Sequence, residues 1–214
     1  MSVFMTVTDY WNHNVAHHAR IVAAMPPHCR AALDVGSGDG LLARKLAARA
    51  KRVVALDTSA EMAAQARERT AGLDVEVVEA DLLTAVRDGT LPAHSFDFVC
   101  TVATLHHMDP EAGLRALADL LRPGGRLVVV GLAMSSSAVD WLIAAGQLPV
   151  VHTLRLLHGG KSAPAGMPMS FDAIPSWAEA RRTALRVLPE ASWRRTLHLR
   201  YLVEWTAPGA PSGR

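Results

Sequence analysis

Leu33-Asp34-Val35-Gly36-Ser37-Gly38-Asp39-Gly40 passes from apolar strand to glycine turn to the start of a helix within eight residues. Ala31 to Val35 is a short apolar run, and Leu41 to Ala50 repeats apolar positions at helical spacing. A buried strand therefore feeds a helix through glycine. Gly36, Gly38 and Gly40 allow positive φ and let a ligand approach without meeting a Cβ, with the N–H groups of the helix start facing it. A dinucleotide fingerprint places its third glycine three residues after the second, but position 41 is Leu41 and the third glycine comes one residue early. That spacing argues against a nicotinamide oxidoreductase. Asp34 and Asp39 repel a pyrophosphate and tolerate a cation, so the expected ligand of Gly36, Ser37, Gly38 and Gly40 carries positive charge.

Upstream, Tyr10 to Met25 sets Val15, Ala19, Val22 and Ala23 near helical spacing and stops at Pro26-Pro27, which predicts a leading helix within a cap of residues 1–28. His13 and His17 stand one turn apart with His18 beside them, but no acid or cysteine completes a ligand set, and no metal is expected. Downstream, Arg52 to Leu56 reads as the second strand. Asp57 follows about 20 residues beyond the glycine turn, where such sheets place the acid that holds a ribose diol. A carboxylate accepts from two vicinal hydroxyls, and Asp57 with Thr58 forms a second anchor; the alternative is a cap for the helix that starts near Ser59. Met62 either covers an adenine face or packs in the core. Val75 to Val78 is the third strand. Asp81 beyond it suits the exocyclic amine of adenine, and the backbone at Leu82 a ring nitrogen, unless Asp81 is only a turn residue.

Phe96 to Thr101 reads as a buried fourth strand that leads into Val102 and then Leu105-His106-His107-Met108-Asp109-Pro110. Ligands of open parallel sheets lie beyond the carboxyl ends of the strands at the switch point, so Thr101 and Val102 are expected to flank the cofactor. His106 or His107 then stands where a neutral imidazole takes a proton from an attacking hydroxyl or amine. Both histidines suit a purely loop-positioning role equally well. Leu114 to Leu121 is an amphipathic helix, stopped by Arg122-Pro123-Gly124-Gly125 before a fifth strand, Arg126 to Val130. Residues 132–175 read as an inserted lid, in which Trp141, Leu142, Ile143, Leu148, Val150 and Leu154 offer acceptor-pocket surface and Met167, Met169 and Phe171 lie in a loop. Gly159-Gly160-Lys161-Ser162 lacks the first glycine of a phosphate loop. Ser176 to Leu188 returns to helix, Leu197 to Trp205 alternates at strand period, and 208–214 is a flexible tail.

Leu33 to Gly40 follows the pattern hydrophobic-acid-hydrophobic-G-x-G-x-G and resembles the first motif of the class I S-adenosylmethionine-dependent methyltransferases. The string LLRPGGRLVVVG, Leu120 to Gly131, resembles their last shared motif, and YWNHNVAHH, Tyr10 to His18, the leader of small bacterial members. The resemblance runs over about residues 10 to 131 and points to the type 11-like, small-molecule branch. It implies an α/β fold, a Rossmann-like doubly wound seven-stranded sheet, mostly parallel with one antiparallel strand. It also implies S-adenosyl-L-methionine as cofactor, whose sulfonium and ammonium account for the acids Asp34 and Asp39, and S-adenosyl-L-homocysteine as product. The leader of such proteins folds over the cofactor, which makes Tyr10 and Asn14 contacts, against the alternative that Tyr10 and Trp11 pack on the sheet edge. The implied reaction moves a methyl group to an O or N atom of a small-molecule acceptor. A non-catalytic S-adenosylmethionine-binding regulatory subunit is the alternative. Thr101-Val102-Ala103-Thr104 replaces the (N/D)-P-P-(Y/F) motif of amino-methylating nucleic-acid enzymes, and Cys100 follows Val99 rather than Pro, unlike the carbon-5 cytosine enzymes.

The 214 residues are half hydrophobic and carry a formal charge of +2, enough for one core and too little field to imply nucleic acid. The N-terminus has neither the basic start nor the apolar stretch of a signal peptide, and no clean run of ~20 apolar residues exists for a membrane span. Cys29 and Cys100 form no C-x-x-C pair, so a reduced, cytoplasmic protein without a disulfide is expected.

Overall fold

The computed structural model describes residues 10–157 and 174–209. Seven strands form one sheet: β1 (Ala31–Val35), β2 (Arg52–Asp57), β3 (Val75–Glu79), β4 (Phe96–Val102), β5 (Leu121–Leu132), β6 (Ser192–Arg195) and β7 (Arg200–Thr206). Their spatial order is β3-β2-β1-β4-β5-β7-β6, and only β7 runs against its neighbours. The chain leaves β1 toward β2 and β3, then returns to the other side of β1 with β4. The switch point, and the crevice it opens, therefore lies between the carboxyl ends of β1 and β4.

The helices are α1 (His18–Ala23), α2 (Leu41–Ala47), α3 (Ala60–Arg69), α4 (Leu82–Arg87), α5 (Pro110–Asp119), α6 (Ala138–Leu157) and α7 (Trp177–Val187). All five β1 side chains are buried, as expected of a parallel strand covered on both faces. Leu33, Val35, Val99, Leu127 and Val129 pack with residues of α4, α5 and α7, while Ala32, Phe98, Cys100 and Val128 pack with residues of α1 and α2. Strand alternation thus gives one sheet two cores. Ser59, Asp109 and Ser176 cap α3, α5 and α7 by accepting backbone N–H bonds, and Ser176 with Glu179 completes a capping box.

Three elements differ from the sequence reading. The leading helix shrinks to a 3-10 turn, Val15–His17, and the short α1, because Asn12 Oδ1 accepts from the Asn14 and Val15 amides and holds the chain in a local turn. Pro123 and Gly124 do not separate helix from strand; they lie inside the irregular start of β5, where the β4–β5 register shifts between Phe96 and Phe98. The last strand starts at Arg200, because His198 and Leu199 take φ of 61° and 56° and turn the chain, although their polarity continues the strand pattern. The expected lid contains the twenty-residue α6, on which Trp141, Leu142 and Ile143 are exposed. Met167, Met169, Phe171, Gly159 to Ser162 and most of the expected tail lie outside the described residues. Cys29 and Cys100 are buried free thiols. Among the described residues no helix is long and apolar enough to cross a membrane.

Candidate active site

The turn after β1 adopts φ of 70°, 54° and 78° at Gly36, Gly38 and Gly40. Its amides, however, are engaged. Gly36 and Ser37 donate to Leu56 O at 2.8 and 3.0 Å, Gly38 donates to Asp57 Oδ2 at 2.7 Å, and Gly40 donates to Ser37 O at 3.1 Å. The first three bonds stitch the turn to β2, and the Gly40 bond closes the turn on itself. Among the described residues the carbonyl oxygens of Gly36 and Gly38 accept no hydrogen bond. A turn that offers acceptors suits an ammonium or sulfonium and not a phosphate.

Three acids stand at successive strand ends. Asp34 is 1% exposed, between Ala55 and Cys100 of the flanking strands, and its Oδ2 has no hydrogen-bond partner among the described residues. Burial pushes its carboxyl up to about 7, the Cys100 thiol and the Ala43 N–H draw it back in part, and the charges of Asp57 and Asp39 add to the rise. Asp57 is half-buried; its Oδ1 accepts from Ser59 N at 2.9 Å while Oδ2 holds Gly38, so it fixes the turn and Ser59 caps α3 in its place. A carboxylate has about four lone-pair positions, which leaves capacity for a diol. Asp81 caps α4 through Thr84 N at 2.9 Å and remains exposed, next to the buried Leu82. Thr58 is exposed at the same edge, whereas Met62 is 2% exposed and packs inside. Asp39 is not part of the ligand-facing set: Arg69 Nη2 meets its Oδ2 at 2.6 Å inside the protein.

The end of β4 closes the crevice. Thr101 Oγ1 donates to Val35 O at 2.9 Å and is buried, so it ties β4 to β1; Val102 is half-buried beside it. Ala103 takes φ of 55°, an uncommon conformation for a residue with a Cβ, and its N–H bonds Val130 O at 2.8 Å. Thr104 Oγ1 lies 3.3 Å from Val35 O and 3.2 Å from Val102 O, directly against Gly36. His106 is half-buried and His107 exposed, with ring centroids 3.9 Å apart. Burial lowers His106 to about 4, with the His107 and Arg200 charges acting in the same direction. His106 is therefore neutral at pH 7 and a weak base as it stands, since a general base works best with its pKa near the operating pH.

The N-terminal segment spans this edge. Tyr10 O–H donates to Asp39 Oδ1 at 3.3 Å beside the glycine turn, while Asn14 Oδ1 accepts from Arg200 Nε and Nη2 at 3.0 and 2.8 Å on β7. Tyr10 thus stands at the turn; Asn14 faces β7, with its side-chain oxygen already engaged. Arg200, Ala103, Thr104 and Arg69 escaped the sequence reading, and nothing in their local sequence marks them. Among the described residues no group of three or more His, Cys, Asp or Glu is placed to hold a metal ion. A hollow of about 640 Å³ lined by His28, Arg30, Arg49, Lys51 and Asp97 opens at the opposite, amino edge of the sheet, away from the crevice that parallel topology creates.

Strand order and glycine turn together define a Rossmann-like domain with its crevice at the β1–β4 switch point. A family model described as a methyltransferase domain matches residues 33–129. Over 205 residues the chain is 35% identical to an uncharacterised methyltransferase of Mycobacterium tuberculosis, a match that covers 92% of this chain and 98% of that protein. In fold it is similar to N-methyltransferase NodS from Bradyrhizobium japonicum, solved with S-adenosyl-L-homocysteine, with TM-score 0.61, 14% identity, and 91% and 87% of the two chains covered. The cyclase SpnF gives TM-score 0.64 at 15% identity, with 91% and 82% covered. The chain belongs to the class I S-adenosylmethionine-dependent methyltransferases and is an enzyme of that family.

Proposed function

We propose that this enzyme moves the methyl group of S-adenosyl-L-methionine to an O or N atom of a small-molecule acceptor. The carrying observation is the glycine turn, whose engaged amides and open carbonyl oxygens, above the partnerless Asp34 Oδ2, fit a cationic ligand. In this reading Gly36, Ser37, Gly38, Gly40 and Asp34 hold the cationic methionine end, Asp57 and Thr58 the ribose, and Asp81 and Leu82 the adenine. Thr101 and Val102 form the wall at the switch point, Met62 backs the adenine side from within the protein, and Tyr10 and Asn14 belong to a segment that covers the cleft. The sulfonium supplies an activated methyl group that needs no metal. The chain's own contribution is to hold the acceptor in line at about 3 Å and keep water out, which makes the encounter effectively unimolecular. His106 accepts a hydrogen bond from the attacking O–H or N–H and draws its proton away, with the His107 ring tilted against it. The free buried thiols of Cys29 and Cys100 fit a reducing, cytoplasmic setting.

Calorimetry with S-adenosyl-L-methionine and S-adenosyl-L-homocysteine, followed by S-adenosyl-L-homocysteine release against a panel of hydroxyl and amine acceptors, tests the proposal. Binding plus acceptor-dependent release is expected. Binding without release across the panel favours the non-catalytic subunit, and the absence of binding by folded protein overturns the reading of the turn.

A further inference from the structure

Arg200 opens β7, opposite Leu132 of β5, at the carboxyl edge of the sheet and two strands, about 10 Å, from β4. Its guanidinium is held from both sides. Nε and Nη2 donate to Asn14 Oδ1, and Nη1 donates to His198 O at 2.8 Å. Both acceptors are neutral oxygens. Among the described residues no carboxylate lies within 4.0 Å of Arg200, whereas Arg69, Arg122 and Arg195 meet Asp39, Asp97 and Asp140. Of five guanidinium N–H groups, three are engaged and two remain.

Among the described residues, the titratable groups lowered by the Arg200 charge are all imidazoles. His13 and His198 stack at 4.0 Å, His17 stands on the adjoining turn, and His106, in the loop after β4, feels the same charge. Burial, aided by the Arg200 cation, lowers His13, and takes His17 and His106 to about 4; His198 is lowered likewise, with His13 the larger charge acting on it. At pH 7 the cluster therefore carries one positive charge, on Arg200, which burial itself lowers only to about 10. His106 Nδ1 and His198 Nε2 add two buried polar atoms without partners. A cation drawn out of water and ringed by neutral donors and acceptors is stabilised when an anion completes it.

We propose that Arg200 receives an anionic group, a carboxylate or phosphate, of the methyl acceptor and thereby sets the reacting atom beside His106. The inference rests on the proposed methyl transfer at this edge. It specifies the acceptor as an anion and gives Arg200 a specificity role. Anion binding also offsets the charge that disfavours protonation of His106, so the acceptor itself makes His106 a better base.

The test uses full-length protein saturated with S-adenosyl-L-homocysteine and titrated with benzoate, phenyl phosphate and the neutral isostere benzamide. At least one anion is expected to bind about tenfold or more tightly than benzamide, and comparison of the two anions identifies carboxylate or phosphate as the preferred group. Arg200→Met is expected to abolish that preference, with Arg200→Lys restoring part of it, while S-adenosyl-L-homocysteine affinity stays within about twofold in both. Equal binding of anions and benzamide by the wild type overturns the proposal. A fall in S-adenosyl-L-homocysteine affinity in folded Arg200→Lys also overturns it, because Arg200 then serves the cofactor's own carboxylate. If Arg200→Met does not fold, the wild-type preference and the Arg200→Lys pair decide. Failure of S-adenosyl-L-homocysteine to bind the wild type, seen before any anion is added, instead defeats the proposed function.

Discussion

A Cβ placed on Gly36 stands 2.0 Å from Oγ1 of Thr104, so the first glycine of the turn touches the loop after β4 with no room for a side chain. Gly36 also holds φ of 70°, which a Cβ disfavours on its own account. Gly36→Ala is therefore expected to push Thr104 off the Val35 and Val102 carbonyls and widen the β1–β4 crevice. The expected cost is about 2 to 4 kcal/mol in stability, from overpacking and backbone strain together. Thr104→Gly in the same chain should return part of this, since it removes the steric term and leaves the backbone one. Denaturant unfolding of the single and double variants checks it.

Asp57 joins two loops through its two oxygens, to Gly38 on one side and Ser59 on the other. Asp57→Asn keeps the size and one acceptor but replaces the other with a donor that faces an N–H. We expect folded protein with cofactor affinity reduced about tenfold to a hundredfold, the range of one lost charge-assisted hydrogen bond. Calorimetry with S-adenosyl-L-homocysteine measures it; unchanged affinity places the ribose elsewhere.

The strand ends were readable from sequence because each pairs an apolar run with a short acid, as at Leu33-Asp34, Leu56-Asp57 and Ala80-Asp81. What escaped depends on distant partners. Asp39 looks like a free acid in a glycine turn until Arg69, thirty residues on, is seen to neutralise it. Asn14 and Arg200 are separated by 186 positions, and neither carries a local signal of the other. The leading helix was overextended because apolar spacing does not register the Asn12 side chain competing for amides, and the last strand because alternation continues through a turn at His198 and Leu199. The engagement of the Gly36 and Ser37 amides is equally invisible locally, because only the β1–β2 pairing brings Leu56 O beneath them.

Asp34 makes stability and cofactor binding depend on pH in a defined direction. Its folded value of about 7 lies above the ordinary carboxyl value of about 3.9, so between these the native state holds a proton that the unfolded chain has released. Stability contributed by this group therefore falls as pH rises through that window and stays low above it. Asp34→Asn should remove the slope and be the more stable protein at pH 8 by about 1 to 3 kcal/mol. A cationic ligand favours the ionised form, so S-adenosyl-L-methionine affinity should rise from pH 6 to 8 in the wild type and stay flat in Asp34→Asn. Unfolding at pH 5 and 8 and calorimetry at pH 6 and 8 measure both slopes.

Ala103 sits in the left-handed region at the end of β4, fixed by its bond to Val130 O. Ala103→Gly relieves the Cβ cost in the folded state but frees the unfolded chain, so we expect a net change within about 1 kcal/mol. Ala103→Val, β-branched at the same φ, should lose about 1 to 3 kcal/mol and displace Thr104 and His106 with the loop. Thermal unfolding separates the two. A wild-type-like Ala103→Val shows that this backbone conformation is not what positions the loop.

The Arg69–Asp39 pair separates what holds the turn from what recognises the cofactor. Arg69 Nη2 and Asp39 Oδ2 are 2.6 Å apart with side chains 7% and 2% exposed, and Arg69 Nε also donates to Asp39 O at 2.9 Å. Removing one member leaves the other charge buried, so Arg69→Met is expected to cost about 3 to 5 kcal/mol. Replacing both, as Arg69→Met with Asp39→Leu, should recover much of that, because two apolar side chains leave no charge to desolvate. Tyr10 loses its partner Asp39 in the double variant, which loosens the segment over the cleft but leaves Asp34 and the Gly38–Asp57 bond in place. Cofactor affinity of the folded double variant should therefore stay within about threefold of wild type, because the Asp57 bonds that hold the turn are kept, while that of Asp57→Asn does not. If the double variant loses the cofactor as completely as Asp57→Asn, Asp39 takes part in recognition after all, and the charge that Arg69 neutralises is one the ligand needs.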